Sequence, residues 1–318
     1  MRKLFVFLLT SLMLAGCANP ASPTQVKLPM GYIPNIQFAP FYVAMEKGYF
    51  KEVGIDLEFD YAYETDGIAL VGAGKVPFSL ASGEQVLLAR AQGLPITTIY
   101  SWYKGYPITL ITTDPTIKTP ADLKGKTIGL PGLYGANYVG LRALLSVAGL
   151  TESDVTLDSI GYSQIESIVS GKEQNVVCYS NNEPIVLADQ GIAFSTLDVS
   201  DYLNLASNGI VTNEAMIKEH PEVVKAFLTA FSKGIKDTIQ DPEAAYAMSK
   251  KYIEGLNEAD KQIQMKILQA SIASWNSDMM GESDQASWQN MQKVLMDMQL
   301  YSEEQDLGKA FTNDFIQK

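Results

Sequence analysis

The sequence predicts an α/β fold of two doubly wound lobes, joined by a hinge that the chain crosses twice, with a helical C-terminal block on the first lobe. Three observations predict it. Short apolar runs alternate with segments of helical period from Val26 to Val211, the pattern of strands and crossover helices in a parallel sheet. Beyond Val211 the period is helical only. The 318 residues, 47% of them apolar, exceed the usual size of one domain and carry enough apolar surface for two cores.

The elements follow in order. Residues 26–32 read as the first strand, and a loop rich in proline and amides, 33–40, leads into a helix over 41–47 that Gly48 ends. Residues 55–61 alternate as a strand, Asp66 caps a helix to Gly72, and 76–81 form an apolar strand. Ser82-Gly83-Glu84-Gln85 opens a helix that stops at Gln92 before Gly93; 96–100 and 108–112 are strands. A second register starts at Thr119, a good N-cap, with Pro120 as first helical residue. A strand over 126–130, a loop over 131–137 and a helix over 138–148 follow. Strands over 155–160 and 175–179 flank a helix over 163–170; then come a helix over 183–189 and short elements at 194–197 and 203–206. From Glu214 onward helices cover 214–219, 222–240, 242–252 and 258–274, with two or more to the end. This reading assigns 26–113 with 211–318 to lobe I and 114–210 to lobe II, with crossings near 112–116 and 207–212.

The N-terminus points to a secreted protein. Arg2 and Lys3 precede an apolar run from Leu4 to Leu14, too short for a permanent membrane span, and small residues follow it. Leu14-Ala15-Gly16-Cys17 resembles a bacterial lipobox, which implies cleavage after residue 16 and a lipid on the Cys17 sulfur. Residues 17–25, with Pro20 and Pro23 among small polar residues, read as the tether between anchor and folded body. The expected location is therefore the extracytoplasmic face of a bacterial membrane, held there by the anchor alone.

Charge and residue counts exclude several functions. A net charge of −12 is unsuited to nucleic acid and to anionic lipid. Two cysteines, one of them Cys17, leave Cys178 alone in an apolar run, where it reads as a small buried hydrophobe. The single histidine, His220, stands at a polar helix start and reads as a solvated imidazole. Neither a zinc site nor a Ser-His-Asp or Cys-His mechanism has its residues. The expectation is a monomeric binding protein with no cofactor and no catalysis.

Gly31-Tyr-Ile-Pro-Asn-Ile-Gln-Phe-Ala-Pro-Phe-Tyr-Val-Ala44, Glu46-Lys-Gly-Tyr-Phe50 and Gly54-Ile-Asp56 closely resemble the NMT1/THI5-like solute-binding family. Asp122-Leu-Lys-Gly-Lys-Thr-Ile-Gly129 resembles that family's opening of the second lobe, and Asn182-Glu183-Pro184 its segment facing the ligand near the hinge. The resemblance covers most of residues 26–235. It implies a periplasmic-binding-protein-like fold and a solute-binding subunit that works with an ABC permease and its ATPase. Members bind thiamine pyrimidine precursors, riboflavin, or sulfonates and related small organics. The fungal synthase branch uses a cysteine-rich patch and a histidine for iron-dependent chemistry; this sequence lacks both, a departure that points away from an enzyme.

In open α/β sheets ligands sit beyond the carboxyl ends of the strands. That places three loops at the cleft. In the first, Asn35 and Gln37 offer amides, while Phe38 and Tyr42 offer ring faces or serve as core of the following helix. In the second, Ser82 and Glu84 flank Gly83 at a helix start that either approaches a ligand or simply caps the helix. The third carries Tyr134, Asn137 and Tyr138 around Gly135. Trp102 and Tyr103 lie near a strand end, and Tyr179, Asn181, Asn182 and Glu183 add polar groups from the second lobe. Rings and amides suit a flat heteroaromatic solute. These loops contain no arginine and only Lys104 as cation, whereas phosphates and sulfonates attract arginine forks. Riboflavin is the expected ligand, a thiamine pyrimidine precursor with an amino group facing Glu183 the alternative, and a sulfonate a poorer third. A metal-dependent synthase is the competing enzymatic reading.

Overall fold

The computed structural model describes residues 24–275 and 278–316; the leader, Cys17 and the tether up to residue 23 lie outside the described residues. In chain order the elements of the N-terminal part are β1 (Thr24–Gly31), α1 (Ala39–Glu46), α2 (Tyr49–Glu52), β2 (Ile55–Tyr63), α3 (Glu64–Gly72), β3 (Ser79–Ala81), α4 (Gly83–Ala91) and β4 (Ile96–Ser101). The middle part holds β5 (Ile108–Thr112), β6 (Thr127–Leu130), α5 (Gly135–Val147), β7 (Thr156–Ser159), α6 (Gln164–Val169), β8 (Asn175–Tyr179), α7 (Glu183–Asp189) and β9 (Ser195–Asp198). Then follow β10 (Gly209–Asn213), α8 (Glu214–Glu219), α9 (Pro221–Gln240), α10 (Pro242–Ser249), α11 (Lys261–Trp275), α12 (Gln285–Asp297) and α13 (Leu307–Ala310). Asp66 is not a cap: Tyr63 precedes α3, and Asp66 lies in its first turn, where a carboxylate faces the positive end of the helix. Residues 203–206 form no strand.

The first lobe is built on β1 parallel to β2, and on β10 running antiparallel between β3 and β4. The second lobe is a five-stranded sheet of order β7-β6-β8-β5-β9. There β6 is parallel to β7 and β8, while β5 is antiparallel to β8 and β9. The mixed direction follows from the two crossings. Ile108 pairs with Tyr179, and Gly209 with Ala81 and Ser101, so β5 and β10 enter their sheets at the end where the neighbouring strands finish. Carboxyl ends of the βα units in both lobes therefore face the hinge.

One assignment needs correction. Residues 108–112, expected in the first lobe, are a central strand of the second sheet, so the first crossing is 102–107 and the second 199–208. All five residues of β5 are buried, and an apolar run of that length carries no sign of which sheet it joins.

The first core is aromatic. The buried stripe of α9, Val224, Phe227, Leu228, Phe231 and Ile235, has helical spacing. Phe227 stacks on Phe78 at 4.2 Å and Phe231 packs on Phe41 at 4.4 Å. Helix α9 lies so close to α1 that a Cβ on Gly234 would stand 2.2 Å from the Pro40 carbonyl oxygen, so only glycine fits there. The C-terminal helices also reach the second lobe, where Lys266 on α11 pairs with Asp189 on α7 at 2.8 Å. No helix among the described residues is long and apolar enough to cross a membrane.

Candidate ligand cleft

Between the lobes lies a cleft holding about 1040 Å³ of atom-free space, its open mouth included. Its walls come from strand carboxyl ends, as the topology requires. Gly31 and Tyr32 follow β1, Tyr63 and Glu64 join β2 to α3, and Trp102 and Tyr103 follow β4. Pro131 follows β6, Tyr162 follows β7, and Tyr179 ends β8. Asn208 comes from the second crossing.

Of the expected residues, Gln37, Phe38, Trp102, Tyr103, Tyr134, Asn137, Tyr179, Asn182 and Glu183 line this cleft. Phe38 is core as well, tilted against Trp102 at 5.9 Å. Six others do not line it. Asn35 caps the 3-10 turn Ile36–Phe38, its side chain accepting from the Gln37 backbone N–H at 3.0 Å. Tyr42 is fully buried, stacked on Tyr252 at 4.7 Å and hydrogen-bonded to Tyr61 at 3.0 Å. Tyr138 turns away to Glu152 and Arg142, because it lies one turn into α5 while the cleft touches only that helix's first residues. Ser82 and Glu84 are sealed behind the wall. Gly83 serves close packing rather than a ligand: a Cβ there would stand 2.8 Å from the Ala206 carbonyl oxygen of the second crossing.

Asn181 is buried at the hinge. Its Nδ2 donates to Gln37 Oε1 at 3.0 Å and to Ser271 Oγ at 2.8 Å, and Tyr103 Oη also donates to Gln37 Oε1 at 3.0 Å. This knot joins the second lobe to the first and to α11, and it orients two cleft-lining residues. Lys104 lies outside the cleft on an exposed stretch, and no lysine or arginine is among the cleft-lining residues.

Two carboxyl groups line the slot. Glu183 is buried at the start of α7, and burial pushes its carboxyl up to about 7 against the pull of the Tyr179 N–H and Asn182 Nδ2, each at 3.2 Å. Glu64, half-buried, is also raised by burial, with Ser82 Oγ at 2.5 Å as its main counterweight. Behind it the fully buried Glu84 is pushed up to about 8, first by burial and then by the charge of Glu64. Burial and the Glu183 charge likewise hold the Cys178 thiol well above its ordinary value. Among its described lining residues the cleft therefore offers carboxyl groups and no cation.

Rings frame the mouth. Tyr63, Tyr134 and Tyr162 line the cleft while about half exposed, and Tyr32 meets Tyr162 edge-on across the lobes at 5.2 Å. Tyr32, Tyr63, Glu64, Tyr162, Gln164 and Asn208 were absent from the residues expected from sequence. Tyr63, Glu64 and Tyr162 stand two or three residues beyond the strand ends read at 61 and 160, so the strand-end rule reaches them once those ends are extended. Asn208 follows no strand, and no sequence signal marks it.

A family model described as "NMT1/THI5 like" matches residues 35–245, more than half of the chain. The riboflavin-binding protein RibY of Chloroflexus aurantiacus is 37% identical over 313 residues, covering 95% of this chain and 89% of that protein. The formylaminopyrimidine-binding protein of Halalkalibacterium halodurans is 33% identical over 76% of each. The 4-amino-5-hydroxymethyl-2-methylpyrimidine phosphate synthase of Schizosaccharomyces pombe is 27% identical over 75% of this chain and 72% of that one. Among solved structures, the periplasmic aliphatic sulphonate binding protein SsuA of Escherichia coli superposes with a TM-score of 0.71 at 13% identity, covering 91% of this chain and 92% of that one, a likeness of fold alone.

Proposed function

The chain belongs to the NMT1/THI5-like family, and from that premise we propose that it is the solute-binding subunit of an ABC importer that captures riboflavin and delivers it to a membrane permease. The observation that carries this reading is the cleft between two lobes, framed by tyrosines and with no lysine or arginine among its described lining residues. A planar heteroaromatic ring fills such a slot by stacking, and amides read its edge. RibY is named a riboflavin-binding protein, which favours the flavin. The second reading is a thiamine pyrimidine precursor. The formylaminopyrimidine-binding relative favours it, and Glu183 and Glu64 suit an exocyclic amino group.

The solute leaves chemically unchanged in this account. Two relatives above 30% identity are named binding proteins, and the synthase is more distant. We further place the working residues of the site at Gln37, Phe38, Trp102, Tyr103, Tyr134, Asn137, Tyr179, Asn182 and Glu183, with lobes hinging about crossings 102–107 and 199–208. Closure of two such lobes around a solute is a hinge motion. The protein works as a monomer on the extracytoplasmic face, held by lipid on Cys17.

Two experiments test this. Calorimetric titration of the purified protein with riboflavin, formylaminopyrimidine and an alkanesulfonate should give a dissociation constant of about 1 μM or lower for one heterocycle, about −8 kcal/mol. A sulfonate that binds tighter than either heterocycle would overturn the ligand class. Separately, Cys17→Ser should release the protein from the membrane fraction of the producing cells; unchanged membrane retention and failure to incorporate labelled palmitate would remove the anchor from the account.

A further inference from the structure

Behind the cleft wall one serine hydroxyl stands between two carboxyl groups. Ser82 Oγ lies 2.5 Å from Glu64 Oε2 and is hydrogen-bonded to Glu84 Oε1 as well. A hydroxyl has one hydrogen, so both contacts can be hydrogen bonds only if a carboxyl holds a second proton. Glu64 also receives the Ser82 N–H at 3.1 Å and Asn208 Nδ2 at 3.3 Å, donors that favour its charged form. Glu84 is enclosed, with the Tyr106 hydroxyl at 3.1 Å. The proton therefore resides on Glu84, which donates to Ser82, which donates to Glu64. Burial and the neighbouring Glu64 charge push the Glu84 carboxyl up, which agrees with this placement.

Asn208 completes the corner. Its Nδ2 donates to Glu64 Oε1 at 3.3 Å and to Tyr179 Oη at 3.2 Å, while its Oδ1 is buried without a partner among the described residues. A buried unpaired acceptor beside a carboxylate calls for an N–H donor. Resting on the reading of this cleft as a heterocycle site, we propose that Glu64 and Asn208 select solutes bearing a ring or exocyclic N–H, and that Glu84 is a positioning residue that keeps Glu64 a carboxylate through Ser82. The corner takes neutral imides, lactams and amino-heterocycles and rejects anions. The titratable groups facing the pair are Tyr106 from the first crossing, Tyr179 from β8 and Tyr162 after β7. The cations on neighbouring helices are engaged elsewhere: Arg90 with Glu214, Arg142 with Glu152 and Lys293 with Asp297.

The test uses riboflavin and its analogue methylated on the imide nitrogen. The wild-type protein should bind the methylated compound about tenfold or more weakly, and Glu64→Ala should bring that ratio near one. An unchanged ratio in the variant overturns the assignment of Glu64. Ligand in the slot deepens the burial of the pair and favours its protonated form, so by linkage riboflavin affinity should fall from pH 7 to pH 9 in the wild type. Glu84→Gln removes one titrating group and leaves Glu183, so its profile should differ from the wild type by losing the fall between pH 7 and pH 9 that the pair contributes; identical profiles overturn the positioning role. Should that variant not fold, wild-type titrations at pH 8 in two buffers of different ionisation enthalpy read the proton uptake directly, and zero uptake overturns it. A protein that binds riboflavin without regard to the N–H contradicts only this inference, whereas a protein that binds no heterocycle contradicts the ligand reading as well.

Discussion

Trp102→Ala is expected to lower stability by about 3–5 kcal/mol, the range for removing a buried tryptophan, and to abolish solute binding in the fraction that still folds. Trp102 is 3% exposed and begins the first crossing between the lobes. It packs on Phe41 at 5.6 Å, Phe231 at 5.8 Å and Trp275 at 5.4 Å, and it lines the cleft. One side chain thus joins the first core, the hinge and the slot. Its indole Nε1 has no partner among the described residues, so Trp102→Phe forfeits no intramolecular hydrogen bond and should keep most of the stability. Urea denaturation of both variants separates the folding loss from the binding loss. A Trp102→Ala protein within about 1 kcal/mol of wild type, below the range for a packed aromatic, would mean that this contact network is not the hinge core.

The second large effect belongs to Glu183. Its carboxyl titrates near 7 in the folded chain, and an unfolded glutamate titrates near its ordinary 4.5. The folded state therefore binds the proton more tightly. Stability from this group is complete below pH 4.5, is lost as pH rises to 7, and stays lost above it. Glutamine carries no such titration, so Glu183→Gln should be more stable than wild type at pH 8, by at most about 3 kcal/mol, and no more stable at pH 4.5. The same substitution should weaken a heterocycle with an N–H or amino group by about tenfold, because a charged acceptor is replaced by a neutral one. Thermal melts at the two pH values check the sign. A variant less stable than wild type at pH 8 would show that the carboxylate is stabilised in place rather than tolerated for binding.

Much of this arrangement is legible in the sequence. Helix stops at Gly48 and Gly93 and the N-cap Thr119 before Pro120 are local signals: α1 and α4 end just before those glycines, and a 3-10 turn over Pro120–Leu123 follows Thr119. Cys178 is buried and His220 exposed, as their neighbours indicate. What local pattern does not carry is partnership. Strand β5 reads the same in either lobe, because its five residues are buried on both faces. Tyr42 and Tyr134 are both tyrosines of loops after strands, yet Tyr42 is sealed against Tyr252 and Tyr134 is 58% exposed at the cleft mouth, a difference set by the C-terminal helices. Glu64, Ser82 and Glu84 meet only because α3 and α4 start side by side. Their shared proton is a property of that meeting and of no single segment.

Grip of one planar heterocycle between the lobes, and its release unaltered, is what the proposed function requires. Its most direct test is a titration of riboflavin with the purified protein, followed by flavin fluorescence and by chromatography of the solute afterwards. Saturable quenching at one riboflavin per chain is expected, with half-saturation at about 1 μM or lower, and recovery of intact riboflavin. Absence of saturation by riboflavin, or recovery of a changed compound, would contradict it.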